Sequence, residues 1–158
     1  MRSNKRAAKL VIVKSVENRP AVDLDDLNNR LGYFVRRVQV WVFQDFIRRL
    51  SGIDLSPAQF SVLVVIGANA GLSQATLAAT LGIERARLVR LLHGLEQRAL
   101  TQRLADADDG RRHALHLTRD GRKLLARAKA LAAEHEAALK EKLGPERYRM
   151  MFEAARGF

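Results

Sequence analysis

The chain predicts a mainly α fold interrupted by one small β-hairpin, and three observations carry that expectation. Apolar residues recur at helical spacing, as in Leu24, Leu27, Leu31, Phe34, Val38 and Trp41. Caps and breakers punctuate these runs at Ser56-Pro57, Ser73, Gly82, Thr118 and Gly144-Pro145. Between Thr101 and Leu117, two short strand-like runs flank a turn rich in Asp and Gly, residues 106–111.

The elements follow in order. Residues 1–22 show no period and close at Pro20. The helical seam from Asp23 to Leu50 carries a second apolar stripe of Val35, Val42, Phe46 and Ile47. A helix apolar on two sides lies between its own domain and something else, for which a second subunit is the natural candidate. Gly52 stops it. Ser56 then caps a helix over 57–69, with Pro57 at its first position and Gln59 completing a capping box.

Ser73 caps a short helix that ends at Gly82, where the chain needs a positive φ that glycine adopts without steric cost. Ala78 is small where a second helix must approach closely. Glu84 opens that second helix, which runs to about Arg98, its charge suited to a helix N-terminus. Residues 101–105 and 112–117 form the hairpin. Thr118 caps a long helix to about Leu143, and a last helix covers Glu146 to Ala155.

Two short helices at a tight turn followed by a hairpin define a winged helix-turn-helix, here flanked by N- and C-terminal dimerisation helices. The expected boundaries are a basic arm at 1–22, a dimerisation helix at 23–55, the winged unit at 56–120 and C-terminal dimerisation helices at 121–158.

Composition narrows the function classes. The 158 residues fit one domain with helical extensions, and 47% are apolar, enough for a core. The net charge of +11 favours polyanionic partners through phosphate neutralisation and counterion release. The excess is uneven: residues 1–22 hold six basic side chains against Glu17 alone, whereas 73–117 hold seven against five acidic ones. No cysteine is present, which excludes disulfides, thiolate metal sites and thiol-based redox sensing. No apolar run is long enough to span a bilayer, and Leu10–Val13 is too short for a signal-peptide core. A cytoplasmic location without membrane partners is the expectation.

The motif points to double-stranded DNA. Arg85, Arg87 and Arg90 stand in the first half of the second helix, where a recognition helix meets base edges and phosphates. Ser73, Gln74 and Thr76 open the preceding helix and suit phosphate, through hydroxyls, an amide and backbone N–H groups. The same residues also serve as plain caps or a solvated face.

No cofactor or metal is expected. His113 and His116 lie three apart on one strand and so point to opposite faces, His93 is isolated, and His135 sits between Glu134 and Glu136 without a His-Glu-x-x-His pattern. No phosphate loop, nucleophile elbow or acid pair in an apolar setting argues for catalysis, so an enzyme is not expected.

The chain resembles the MarR family of bacterial transcriptional regulators over about residues 23–156. The resemblance rests on Leu55-Ser56-Pro57-Ala58-Gln59-Phe60, on residues 106–112 as an Asp-x-x-Asp-x-Arg wing signature, and on His116-Leu117-Thr118-Arg119-Asp120-Gly121. It implies a homodimer on an inverted-repeat operator, usually repressing and released by a small aromatic acid. Asp106, Asp109 and Arg111 match the wing positions, with Arg112 beside them. Tyr33, Phe34, Arg37, Val38, Trp41 and Phe60 are candidates to line the effector cavity, or else plain core. The basic arm and aromatic first helix resemble the branch of the family that answers aromatic acyl-CoA thioesters. Two other readings stand beside the repressor: an architectural nucleic-acid-binding protein without an effector, and a protein-interaction module.

Overall fold

The computed structural model describes residues 22–105 and 113–157. It contains α1 (Leu31–Ser51), α2 (Pro57–Ala68), α3 (Gln74–Leu81), α4 (Arg85–Gln97), β1 (Thr101–Ala105), β2 (His113–Leu117), α5 (Arg119–Leu143) and α6 (Pro145–Arg156). The basic arm up to residue 21 and the turn between the two strands, with Asp106, Asp109, Arg111 and Arg112, lie outside the described residues.

Local chemistry sets most of the boundaries. At α2, Ser56 Oγ accepts the Gln59 N–H at 3.2 Å while Gln59 Oε1 accepts the Ser56 N–H at 3.0 Å, the reciprocal capping box. Ser73 Oγ accepts the Thr76 N–H at 3.1 Å, and Gly82 ends α3 with φ 60°. Glu84 occupies the cap position of α4 without a side-chain capping bond, so its charge acts on the helix terminus alone. Thr118 Oγ1 accepts the Gly121 N–H at 2.9 Å and donates to Ala99 O at 2.6 Å, which ties the start of α5 to the loop before the hairpin.

One boundary differs from the sequence expectation. The seam beginning at Asp23 is not one helix: Asp25–Asn29 form a 3₁₀ turn, and α1 starts only at Leu31. The Asp23 carboxylate accepts the Asp25 N–H at 2.9 Å, and Asp25 turns to φ 46°. Aspartate that bonds its own backbone competes with helix. Arg30 is then extended, with φ −105° and ψ 109°.

The strands pair antiparallel, Thr101 opposite Leu117 and Ala105 opposite His113. A third rung comes from the α2–α3 connection: the Gly71 N–H donates to Leu115 O, and the Leu115 N–H to Leu72 O, both at 3.0 Å. The root of the wing is thereby fixed to the helical core.

That core joins Leu50 and Leu55 to Val62, Leu63 and Ile66 of α2, Leu77 of α3, and Leu88, Leu92 and Leu95 of α4. Leu115, Leu125 and Ala128 close it from the wing and α5. Gly121 marks the tightest approach, where a Cβ would stand 1.9 Å from Leu100 O. By contrast, Leu31, Val35, Phe43 and Ile47 of α1 and Met150, Met151 and Phe152 of α6 stay exposed. Of the second stripe, Phe46 turns into the core while Val35 and Ile47 do not.

Candidate nucleic-acid interface and ligand cavity

Helix α4 buries Leu88, Leu92 and Leu95 along one side, which leaves Arg85, Ala86, Arg87, Val89, Arg90 and His93 exposed. At 3.6 residues per turn, Arg90 stands opposite the buried stripe. Arg87 falls on one flank, and Arg85 and Val89 on the other, toward α3. None of the ion pairs among the described residues involves Arg85, Arg87 or Arg90. On α3, Ser73 Oγ and Thr76 Oγ1 lie 2.9 Å apart at the helix N-terminus, beside half-buried Gln74. The structure thus gathers six of the nine expected DNA-contacting residues on two adjoining helices.

Two features of this face escaped the sequence reading. Glu96 of α4 accepts from Arg103 Nε of β1 at 2.7 Å, bracing the wing strand against the helix. Their spacing of seven across a helix end and a strand carries no local signal. The second feature is a hollow of about 240 Å³ between α3 and α4, lined by Gln74, Ala75, Arg85, Leu88 and Val89.

A second concavity, also about 240 Å³, opens on α1 and is lined by Tyr33, Arg36, Arg37, Val40, Trp41 and Gln44. The Arg37 guanidinium lies 5.7 Å from the Tyr33 ring centre, and Lys142 Nζ of α5 lies 4.7 Å over the Trp41 ring. Aromatic surface and cations meet here, as an anionic aromatic ligand requires. Of the six residues expected at an effector cavity, Tyr33, Arg37 and Trp41 line it. Phe34 sits edge-on to Tyr33 at 5.3 Å, 42% exposed and outside the lining. Phe60 packs edge-on against Phe46 at 5.4 Å, where α2 meets α1, half-buried against the core and outside this lining. Val38 is exposed away from the lining. Arg36, Val40 and Gln44 continue the same helical row as Tyr33 and Arg37, a spacing that would have found them.

Near the foot of α1, Asp45 accepts from Arg49 Nε at 2.8 Å, from His135 Nδ1 at 2.8 Å and from Arg48 Nη2 at 2.5 Å. These bonds, that from Arg49 foremost, hold its carboxyl well below the usual carboxylate range. His135 is buried and stacks on Phe46 at 5.1 Å. Its neighbours in sequence, Glu134 and Glu136, carry no signal of this pairing. In α6, Tyr148 donates to Glu136 of α5 at 2.5 Å, which pushes the phenol up from its ordinary pKa.

A pair of short helices with a cationic outward face, braced to a β-hairpin and flanked by long helices with unburied apolar stripes, makes this a winged helix-turn-helix protein. Residues 53–112 match the MarR family. The chain is also similar, at 40% identity and a TM-score of 0.82, to the transcriptional repressor CouR bound to a 23-mer DNA duplex, over 87% of this chain and 98% of that one. It superposes on CouR bound to p-coumaroyl-CoA with a TM-score of 0.79, at 40% identity over 85% and 95% of the two chains. A proposed transcriptional regulatory protein for the hcr operon of Thauera aromatica is 36% identical over 98 residues, 61% of this chain and 59% of the relative. The transcriptional regulator HosA of Escherichia coli is 36% identical over 75 residues, and the chain spans about half to three fifths of these curated relatives. The chain belongs to the MarR family of transcriptional regulators.

Proposed function

We propose that this chain is a ligand-responsive repressor that binds a pseudo-palindromic operator as a homodimer and leaves it on binding a small aromatic acid or its CoA thioester. The observation that carries this reading is the 40% identity, over nearly the whole of that chain, to a repressor seen both on a DNA duplex and with p-coumaroyl-CoA.

The physics of the surface supports it. Arg85, Arg87 and Arg90 project from the helix that would enter the major groove, while Ser73, Gln74 and Thr76 would hold the adjacent phosphates. In the wing, Arg111 would reach the minor groove with Asp109 fixing its angle and Arg112 beside it. The exposed stripes of α1 and α6, Leu31, Val35, Ile47, Met150 and Phe152 among them, would be buried against a second copy, setting two reading heads side by side. In the α1 cavity, Tyr33 and Trp41 would face the aromatic group, and Arg36, Arg37 and Lys142 its anionic part.

Fluorescence anisotropy with an inverted-repeat duplex from the gene's own upstream region tests this. Adding p-coumaroyl-CoA should weaken binding by about tenfold or more, within the usual range of coupling between sites. Free CoA should do less. Equal affinity for random DNA, unmoved by the thioester, would favour an architectural role and contradict the proposal.

A further inference from the structure

The hollow between α3 and α4 has a composition that the arginines beside it do not explain. Val89 is a β-branched apolar side chain left 48% exposed on a helix face otherwise made of Arg85, Ala86, Arg87, Arg90 and His93. Beside it, fully buried Leu88 forms an apolar floor, Ala75 of α3 a wall, and Gln74 and Arg85 a polar rim. No carboxylate lines it. A surface built to hold phosphate alone would have no use for a valine there.

In the major groove, the apolar group that distinguishes one base from the others is the 5-methyl of thymine. We infer that the Val89 hollow is a thymine-methyl subsite, so that Val89 with Ala75 and Leu88 selects one thymine in each operator half-site. This rests on the DNA-reading role proposed above for α4. Arg85 and Gln74 at the rim hold the neighbouring phosphate or base edge, which seats the methyl over the apolar floor. The occupant must be a small apolar group carried on a polyanion, since every charged residue on the exposed face from Arg85 to His93 is cationic.

Deoxyuridine removes that methyl and nothing else. A preferred duplex is first selected from a random library with the full-length protein, and each thymine is then replaced in turn by deoxyuridine. At one thymine in each half-site, the replacement should weaken binding about fourfold, the factor carried by burial of one methyl group. Replacing both should give about sixteenfold. Val89→Ala should bind the thymine and deoxyuridine duplexes almost equally while keeping the wild-type melting temperature. Tight, selective binding that is indifferent to deoxyuridine at every thymine would overturn the subsite and leave the DNA-reading role intact. A full deoxyuridine penalty in Val89→Ala would also overturn it, by assigning the methyl to another residue. Failure to select any sequence over random DNA would remove both proposals together.

Discussion

His135 Nδ1 lies 2.8 Å from Asp45 Oδ2, a hydrogen bond that joins the middle of α5 to α1 across ninety residues of sequence. Because the depressed pKa keeps Asp45 ionised, its carboxylate can only accept, so Nδ1 carries the proton. The imidazole is thereby oriented flat against Phe46, whose ring meets Phe60 of α2 edge-on. Three helices are locked by one side-chain chain, at the junction between the long helices and the reading head.

Replacing Asp45 should therefore loosen that junction. Asp45→Asn is expected to cost about 1.5–3 kcal/mol, the range for hydrogen bonds to charged groups. The sign with pH follows from the lowered carboxyl pKa. Its stabilisation is fully present above the ordinary value of 3.8 and is lost as the pH falls below that toward the folded-state value. Thermal melts at stepped pH should show the wild type losing stability below about pH 4 more steeply than the variant. Parallel curves would contradict the arrangement.

This lock shows where sequence reading stops. Ser56, Pro57, Gln59, Gly82 and Thr118 were legible because each acts on backbone within a few residues of itself. The hairpin was legible from its turn composition. The 3₁₀ turn ahead of α1 is not legible, because apolar spacing says nothing about the Asp23 side chain capturing the Asp25 N–H. His135 and Asp45 lie on separate helices with no shared motif, and only packing reveals that they meet. The sequence likewise leaves Phe60 between cavity and core, and only the packing reveals its edge-on contact with Phe46.

A second test concerns the anchoring of α5. A methyl group at Gly121 would collide with the backbone carbonyl of Leu100, which cannot move without displacing the Thr118 N–H that donates to it. Gly121→Ala should destabilise by about 1–3 kcal/mol or more, as overpacking of a rigid site does. Differential scanning calorimetry would read this as a fall of several degrees in Tm; an unchanged Tm would mean that the approach is looser than described.

The capping box at α2 makes a smaller prediction. Ser56→Ala removes the acceptor for the Gln59 N–H and should cost about 1 kcal/mol, or roughly 2–4 °C in Tm for a chain of this size. Ser56→Asp, which retains an acceptor, should recover most of the loss in the same melts.

The two proposed sites should separate cleanly under mutation. Arg90→Ala should weaken operator binding and relax base preference, an arginine–base contact being worth about 1–3 kcal/mol of discrimination. Its response to p-coumaroyl-CoA should remain. Trp41→Ala should do the reverse, leaving DNA affinity near wild type while the thioester no longer releases the duplex. Anisotropy titrations of both variants decide; joint loss of both properties in either one would place the two sites on one surface.

Paired reading is tested most directly by the mass of the complex formed on an inverted-repeat duplex. Sedimentation at micromolar concentration should give two chains per duplex when the half-site centres lie about one helical turn, roughly 10–11 bp, apart. Insertion of about half a turn, ~5 bp, should abolish that species. A single chain per duplex, bound equally well at either spacing, would contradict the account.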